Sequence, residues 1–179
     1  MRTATRISLA LAGSAALVAS MALPASAADT TTTVAVPAGT IGVSAVPTSA
    51  DLGSIVPGTT ASVVLTGVQI SDQRAGVTGW VASVSMSTLN GSIETVAGTP
   101  DYTISAVNAT YTGAAAVESG TVTVTSAGAQ ADLSTAKSVQ TATAVSGNNT
   151  ATWDGTLALA VPSDAKADTY TAVLTHSVL

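Results

Sequence analysis

The residues able to do chemistry are few and thinly spread. There is one histidine, His176, near the C-terminal end, and no cysteine. Without a thiol there is no thiolate nucleophile, no disulfide framework and no Cys-based zinc site. A lone imidazole cannot supply a His-pair mechanism or a His-rich metal site. Serines are frequent, but none sits in a G-x-S-x-G elbow, so a Ser-His-Asp triad is not expected. The acids are Asp29, Asp51, Asp72, Glu94, Asp101, Glu118, Asp132, Asp154, Asp164 and Asp168. A glycosidase needs two carboxylates facing each other across a bond. Nearly all of these fall in turn-like stretches or at strand ends, where a carboxylate usually bonds its own backbone. Asp164–Asp168 lacks the ligand density and central glycine of an EF-hand loop. Lys137 and Lys166 lie in turn-like stretches, unlike the apolar strand lysine of an isopeptide bond. The expectation is a protein without catalytic residues, cofactor or metal.

Charge narrows the partners. Five basic residues face ten acidic ones, a net charge of −5, which leaves no electrostatic footprint for nucleic acid or an anionic membrane. Arg2 and Arg6 precede an apolar stretch from Ile7 to Leu23, then Pro24 and Ala25-Ser26-Ala27. A basic start, an apolar middle and an A-x-A end make a secretory signal peptide over 1–27, cleaved before Ala28. The A-x-A site and the lack of a stop-transfer flank argue against a membrane-embedded chain after cleavage. Losing Arg2 and Arg6 leaves Arg74, Lys137 and Lys166 against all ten acids, a net charge of −7. Residues 28–40, with the low-complexity tract Asp29–Thr33, read as a flexible lead-in.

The remainder reads as strands. Thr and Val are abundant, and both suit a pleated surface better than a helix. Trp80, Ala82, Val84 and Met86 alternate with Val81, Ser83 and Ser85. Leu157, Leu159 and Val161 alternate with alanines, and Tyr170, Ala172, Leu174, His176 and Val178 alternate with Thr171, Val173, Thr175 and Ser177. Such alternation places one face toward a core and one toward water. Turn residues cluster at Pro57-Gly58, Asn90-Gly91, Gly98–Asp101, Gly147-Asn148-Asn149 and Pro162-Ser163-Asp164. Strands are expected near 41–47, 61–71, 79–87, 101–108, 120–125, 138–145, 151–161 and 169–178. The short segments Gly113–Glu118 and Ala131–Lys137 are the best helix candidates, and both lack caps. The fold class is all-β: an antiparallel sandwich of about eight strands, Ig-like in general architecture, in one domain over 41–179. Three N-x-S/T triplets, at Asn90, Asn108 and Asn148, mark surface positions.

Two stretches carry a resemblance. The first is Val68-Gln69-Ile70-Ser71-Asp72-Gln73-Arg74 followed by Gly79-Trp80-Val81-Ala82. The second is Ala151-Thr152-Trp153-Asp154-Gly155-Thr156-Leu157 followed by the terminal Tyr170-Thr171-Ala172-Val173-Leu174-Thr175-His176-Ser177-Val178-Leu179. Together they resemble the WxL domain, a C-terminal module of surface proteins in Gram-positive bacteria associated with peptidoglycan. The likeness covers roughly residues 41–179. Its first motif stands here as Trp80-Val81-Ala82, and its degenerate second motif as His176-Ser177-Val178. Asp168 stands where a glycine before the tyrosine is more usual. The resemblance implies a secreted, non-enzymatic cell-surface protein that associates non-covalently with peptidoglycan or another cell-wall glycan. It makes Trp80, Ala82, His176 and Val178 the motif or wall-binding positions, with Trp153, Tyr170 and Leu174 as core or scaffold. No L-P-x-T-G sorting motif or lipid-anchor cysteine is present, so covalent retention is not expected. The alternative is a structural module that binds another surface protein, with wall affinity incidental.

Overall fold

The computed structural model describes residues 31–179. The signal-peptide reading of 1–27 therefore lies outside the described residues. Residues 31–40 are exposed and carry no regular secondary structure. Ala35–Leu179 forms one compact unit. Its strands are β1 (Ile41–Ala45), β2 (Thr60–Asp72), β3 (Trp80–Met86), β4 (Leu89–Gly91), β5 (Thr103–Ile104), β6 (Ala109–Gly113), β7 (Val117–Ser126), β8 (Ala129–Ala131), β9 (Lys137–Ala160), β10 (Tyr170–Thr171) and β11 (Leu174–Val178). A 3₁₀ turn, Ala106–Asn108, precedes β6. No α-helix occurs among the described residues, and no helix there is long and apolar enough to cross a membrane. The fold is all-β and antiparallel: eight strands form a nearly closed, sandwich-like sheet, and β10, β4 and β5 form a small second sheet.

The spine is β9, 24 residues long. Fully extended it would reach roughly 80 Å at about 3.3 Å per residue, about twice the width of a domain this size. It therefore has to fold over. The bend lies where Ala144 and Gly147 take positive φ of 50° and 73°, a conformation easy for glycine and costly for alanine. On one edge, β3 pairs with the N-terminal half of β9 and β2 with the C-terminal half. On the other edge, β7 runs along the bend and β6 continues beside the C-terminal half. Both edges thus bend with the spine and form two facing walls. Strand β1 extends the β2 side, β11 extends the β3 side, and the two approach each other to close the sheet.

The expected strand boundaries need correction here. Segments 138–145 and 151–161 are one strand, because Gly147-Asn148-Asn149 bends β9 without reversing it. The expected strand at 169–178 breaks at Ala172 and Val173, and 101–108 reduces to β5 and the 3₁₀ turn. The helix candidates contribute loops and the ends of β6, β7, β8 and β9. Alternation elsewhere reads as expected: Trp80, Ala82, Val84 and Met86 all point inward.

Side chains hold the bend. Asp72, almost fully buried, accepts from Arg74 Nε and Nη2, both at 2.9 Å, and from the Arg74 backbone N–H at 3.1 Å. Arg74 Nη2 also donates to the carbonyls of Thr78 and Gly79. Asn149 Nδ2 reaches Asp72 Oδ2 and the Gly147 carbonyl, while Asn149 Oδ1 accepts from the Trp80 indole N–H at 3.2 Å. The β2–β3 connection is tied to the bend again by Ala75 N–H to Asn148 Oδ1, Asn148 Nδ2 to Gln73 Oε1, and Gly147 N–H to the Gly76 carbonyl. Gly79 lies so close that an added Cβ would sit 2.4 Å from the Ala142 oxygen. Arg74 holds the Asp72 carboxyl below its usual range. Asp72→Ala would leave the guanidinium and Asn149 without their acceptor. It should cost about 2–4 kcal/mol, measured as the shift in urea unfolding free energy at pH 7.

Candidate functional site

The motif positions of the resemblance lie within the walls of the sheet. Trp80 and Ala82 are 2% and 3% exposed, and the Trp80 ring presents no face to solvent. His176 and Val178 are half-buried on the inner face of β11. Trp153 is buried; Tyr170 and Leu174 are half-buried against the core. The structure brings Trp153 and His176 together through a residue the sequence did not single out. Tyr111, fully buried on β6, accepts from the Trp153 indole N–H at 3.2 Å, and its hydroxyl lies 3.2 Å from His176 Nε2. The Tyr111 and His176 rings meet edge to face, with centroids 5.5 Å apart. The hydroxyl fits only because residue 155 is glycine: a Cβ there would stand 2.0 Å from it. Since Tyr111 accepts from Trp153, it is free to donate to a neutral imidazole.

The outward-facing candidate is a small cleft of about 250 Å³ where the loop before β5 meets the loop before β10. Tyr102 and Tyr170 line it with Asp101, Asp164, Lys166 and Pro162. Tyr102 is 37% exposed. Asp101 Oδ1 is held by the N–H and hydroxyl of Thr95 at 3.0 and 2.9 Å. The Tyr170 hydroxyl donates to the Lys166 carbonyl at 3.0 Å, which fixes the ring in the wall. The loop is pinned by Asp168, whose carboxylate accepts from the N–H groups of Ser92, Ile93 and Thr169 and from the Ser92 hydroxyl. These bonds, the Ser92 hydroxyl foremost, lower the Asp168 pKa. Asp168 thus has a structural role where the resemblance would place glycine. The cleft combines aromatic faces with carboxylate acceptors and one ammonium donor, a set suited to hydroxyl-rich ligands. No cluster of three or more His, Cys, Asp or Glu side chains able to hold a metal occurs among the described residues.

Tyr102 falls within the strand expected near 101–108 and is not singled out by the sequence; the observed strand begins only at Thr103, so the ring sits in the loop before it. An aromatic beside the Gly98–Asp101 turn signal was the available clue, since a ring there has no core face to fill. No family model, curated protein or solved structure matches the chain.

His176 provides a pH test of the interior. Burial lowers its pKa from the ordinary value. The unfolded state therefore binds more protons in the interval below about pH 6.5, so stability present above that pH is lost as pH falls toward the folded pKa. Urea unfolding of the wild type should show this loss between pH 7.5 and 5, with a slope of at most about 1.4 kcal/mol per pH unit. His176→Gln, which keeps an acceptor for the Tyr111 hydroxyl, should flatten the profile over that interval.

Proposed function

We propose that this is a secreted, non-enzymatic surface protein that associates non-covalently with peptidoglycan, and that the Tyr102–Tyr170 cleft makes the contact. The observation that carries the reading is the exposed Tyr102 ring, set beside Asp101, Asp164 and Lys166 in one cleft. Sugar rings offer C–H faces that stack on an aromatic surface and hydroxyls that bond to carboxylates. The resemblance to WxL domains supports the same class of ligand. The buried motif residues then act as scaffold, since Trp80 spends its indole N–H on Asn149. Charge shapes the mode of contact. An acidic chain is repelled by anionic wall polymers, so hydrogen bonds and stacking must supply the affinity.

Co-sedimentation with purified peptidoglycan tests this. Tyr102→Ala should lower binding roughly tenfold, equivalent to about 1.4 kcal/mol. Its unfolding free energy should stay within about 0.5 kcal/mol of wild type, as for other exposed sites. Trp80→Ala should do the opposite to stability, costing about 3–5 kcal/mol by emptying a large core site. Raising salt to roughly 0.5 M should not release the bound protein, because screening weakens a repulsion. Unchanged sedimentation of Tyr102→Ala would remove the cleft from the reading.

A further inference from the structure

Strand β7 has a partner on one side only. Among the described residues it pairs with β9 along Val117–Ser126 and with no other strand. Its second edge therefore presents unpaired N–H and C=O groups over 10 residues. Such an edge is a template for another strand, and proteins usually blunt it with lysine, proline or a cover. β7 contains no lysine and no proline, and its first residue, Val117, is 76% exposed. One guard is present. The Glu118 carboxylate reaches across the bend at Gly120, where φ is 84°, and accepts from the Val124 backbone N–H. An N–H bonded to a side chain of its own strand is outside the β9 ladder, so this group faces the free edge. Glu118 takes the place there that a neighbouring strand would fill.

We propose that this edge accepts residues 31–36 of a second copy of the chain as an added strand, with Glu118 guarding Val124 until that strand arrives. The segment Thr31-Thr32-Thr33-Val34-Ala35-Val36 is rich in β-branched residues, is exposed, and joins no ladder in its own chain. Val34 and Val36 are 83% and 75% exposed and would share one face of a strand. Added beside β7, they extend the core-facing surface begun by Val122 and Val124. Charge favours the same occupant. Copies of an acidic chain repel each other, so the joining segment should bring no further acid, and residues 30–50 carry no charged side chain. The segment cannot reach its own β7. Gly39 and Thr40 are fixed beside Gln73 by two backbone bonds of 2.9 Å. From there the register runs Ile41, Asp72, Asn149, Gly120 across β1, β2, β9 and β7. A strand added beyond β7 lies four spacings from β1, roughly 19 Å along the sheet. Pro37 and Ala38 are the only residues between the segment and Gly39, and that link spans about 10 Å. The contact therefore joins two copies, donor segment on one and edge on the other. Such a heterologous contact repeats into chains unless it closes on itself. Strand addition draws affinity from main-chain bonds and specificity from alternate side chains.

Analytical ultracentrifugation of the purified protein tests the assembly. Its average mass should rise with concentration. Val34→Pro removes a donor and fixes φ in a segment that makes no ladder bonds, so this variant should fold as wild type and stay monomeric. A synthetic peptide of residues 29–38 should then bind the Val34→Pro protein, one per chain, and dissociate assembled wild type. Adding Val124→Pro deletes the outward N–H and should weaken peptide binding at least about tenfold. Adding Glu118→Ala instead removes the guard and should tighten it severalfold, which locates the edge even should Val124→Pro fail to fold. A wild-type protein that stays monomeric overturns the proposal, as does a Val34→Pro protein that assembles like wild type or ignores the peptide. Peptide affinity unchanged by the edge substitutions overturns β7 as the acceptor, and weaker binding in Glu118→Ala overturns its role as guard. No readout involves peptidoglycan, so the result is independent of wall binding.

Discussion

The fold depends on a single bend in a single strand. A spine of 24 residues can serve one compact unit only by bending, and a strand that bends leaves ladder groups to be satisfied in other ways. The Asp72–Arg74 pair does this work with Asn149. One carboxylate collects a bidentate guanidinium, a backbone N–H and an amide, and the guanidinium passes two further bonds to the β2–β3 connection. Asp72 lies where burial would make its charge alone expensive, and the partly exposed Arg74 guanidinium offsets that cost. The pair therefore specifies one geometry for the bend, and through the bend it fixes which residues of β9 face which wall.

The second constraint spans the interior. Trp153, Tyr111 and His176 come from three strands, and their polar atoms meet at one hydroxyl. Gly155 makes the meeting possible by leaving room where any side chain would collide. This explains the spacing in Trp153-Asp154-Gly155: the indole and the missing Cβ face inward together, two residues apart on one strand. Asp154 faces outward between them, where its Oδ1 accepts from the Gly67 N–H across the β2–β9 ladder at an irregularity in register.

Much of the fold was legible in the sequence, because alternation reports burial directly. The run Trp80–Met86 gave both its element and its inner face, and the all-β class followed from Thr and Val together with the turn residues. The errors came from turn chemistry. Gly147-Asn148-Asn149 has the composition of a reversal, yet its side-chain amides are consumed by partners 69 to 75 residues away. Local composition cannot distinguish a turn from a bend held by distant side chains. The site was less legible still. Tyr111 lies on a strand of five residues whose alternation is masked by Thr, Ala and Gly, and Tyr102 owes its exposure to a loop path that only the tertiary structure defines. The motif residues, by contrast, were visible by type, and their role in the walls became plain only from their partners.

The two ends of the unit follow different physical rules. The closed end is polar, satisfied and specific. The opposite end is bounded by irregular segments, residues 46–59 and 161–169, which mix apolar and polar side chains. Its shape follows from loop packing, where the shape of the bend follows from satisfied polar groups.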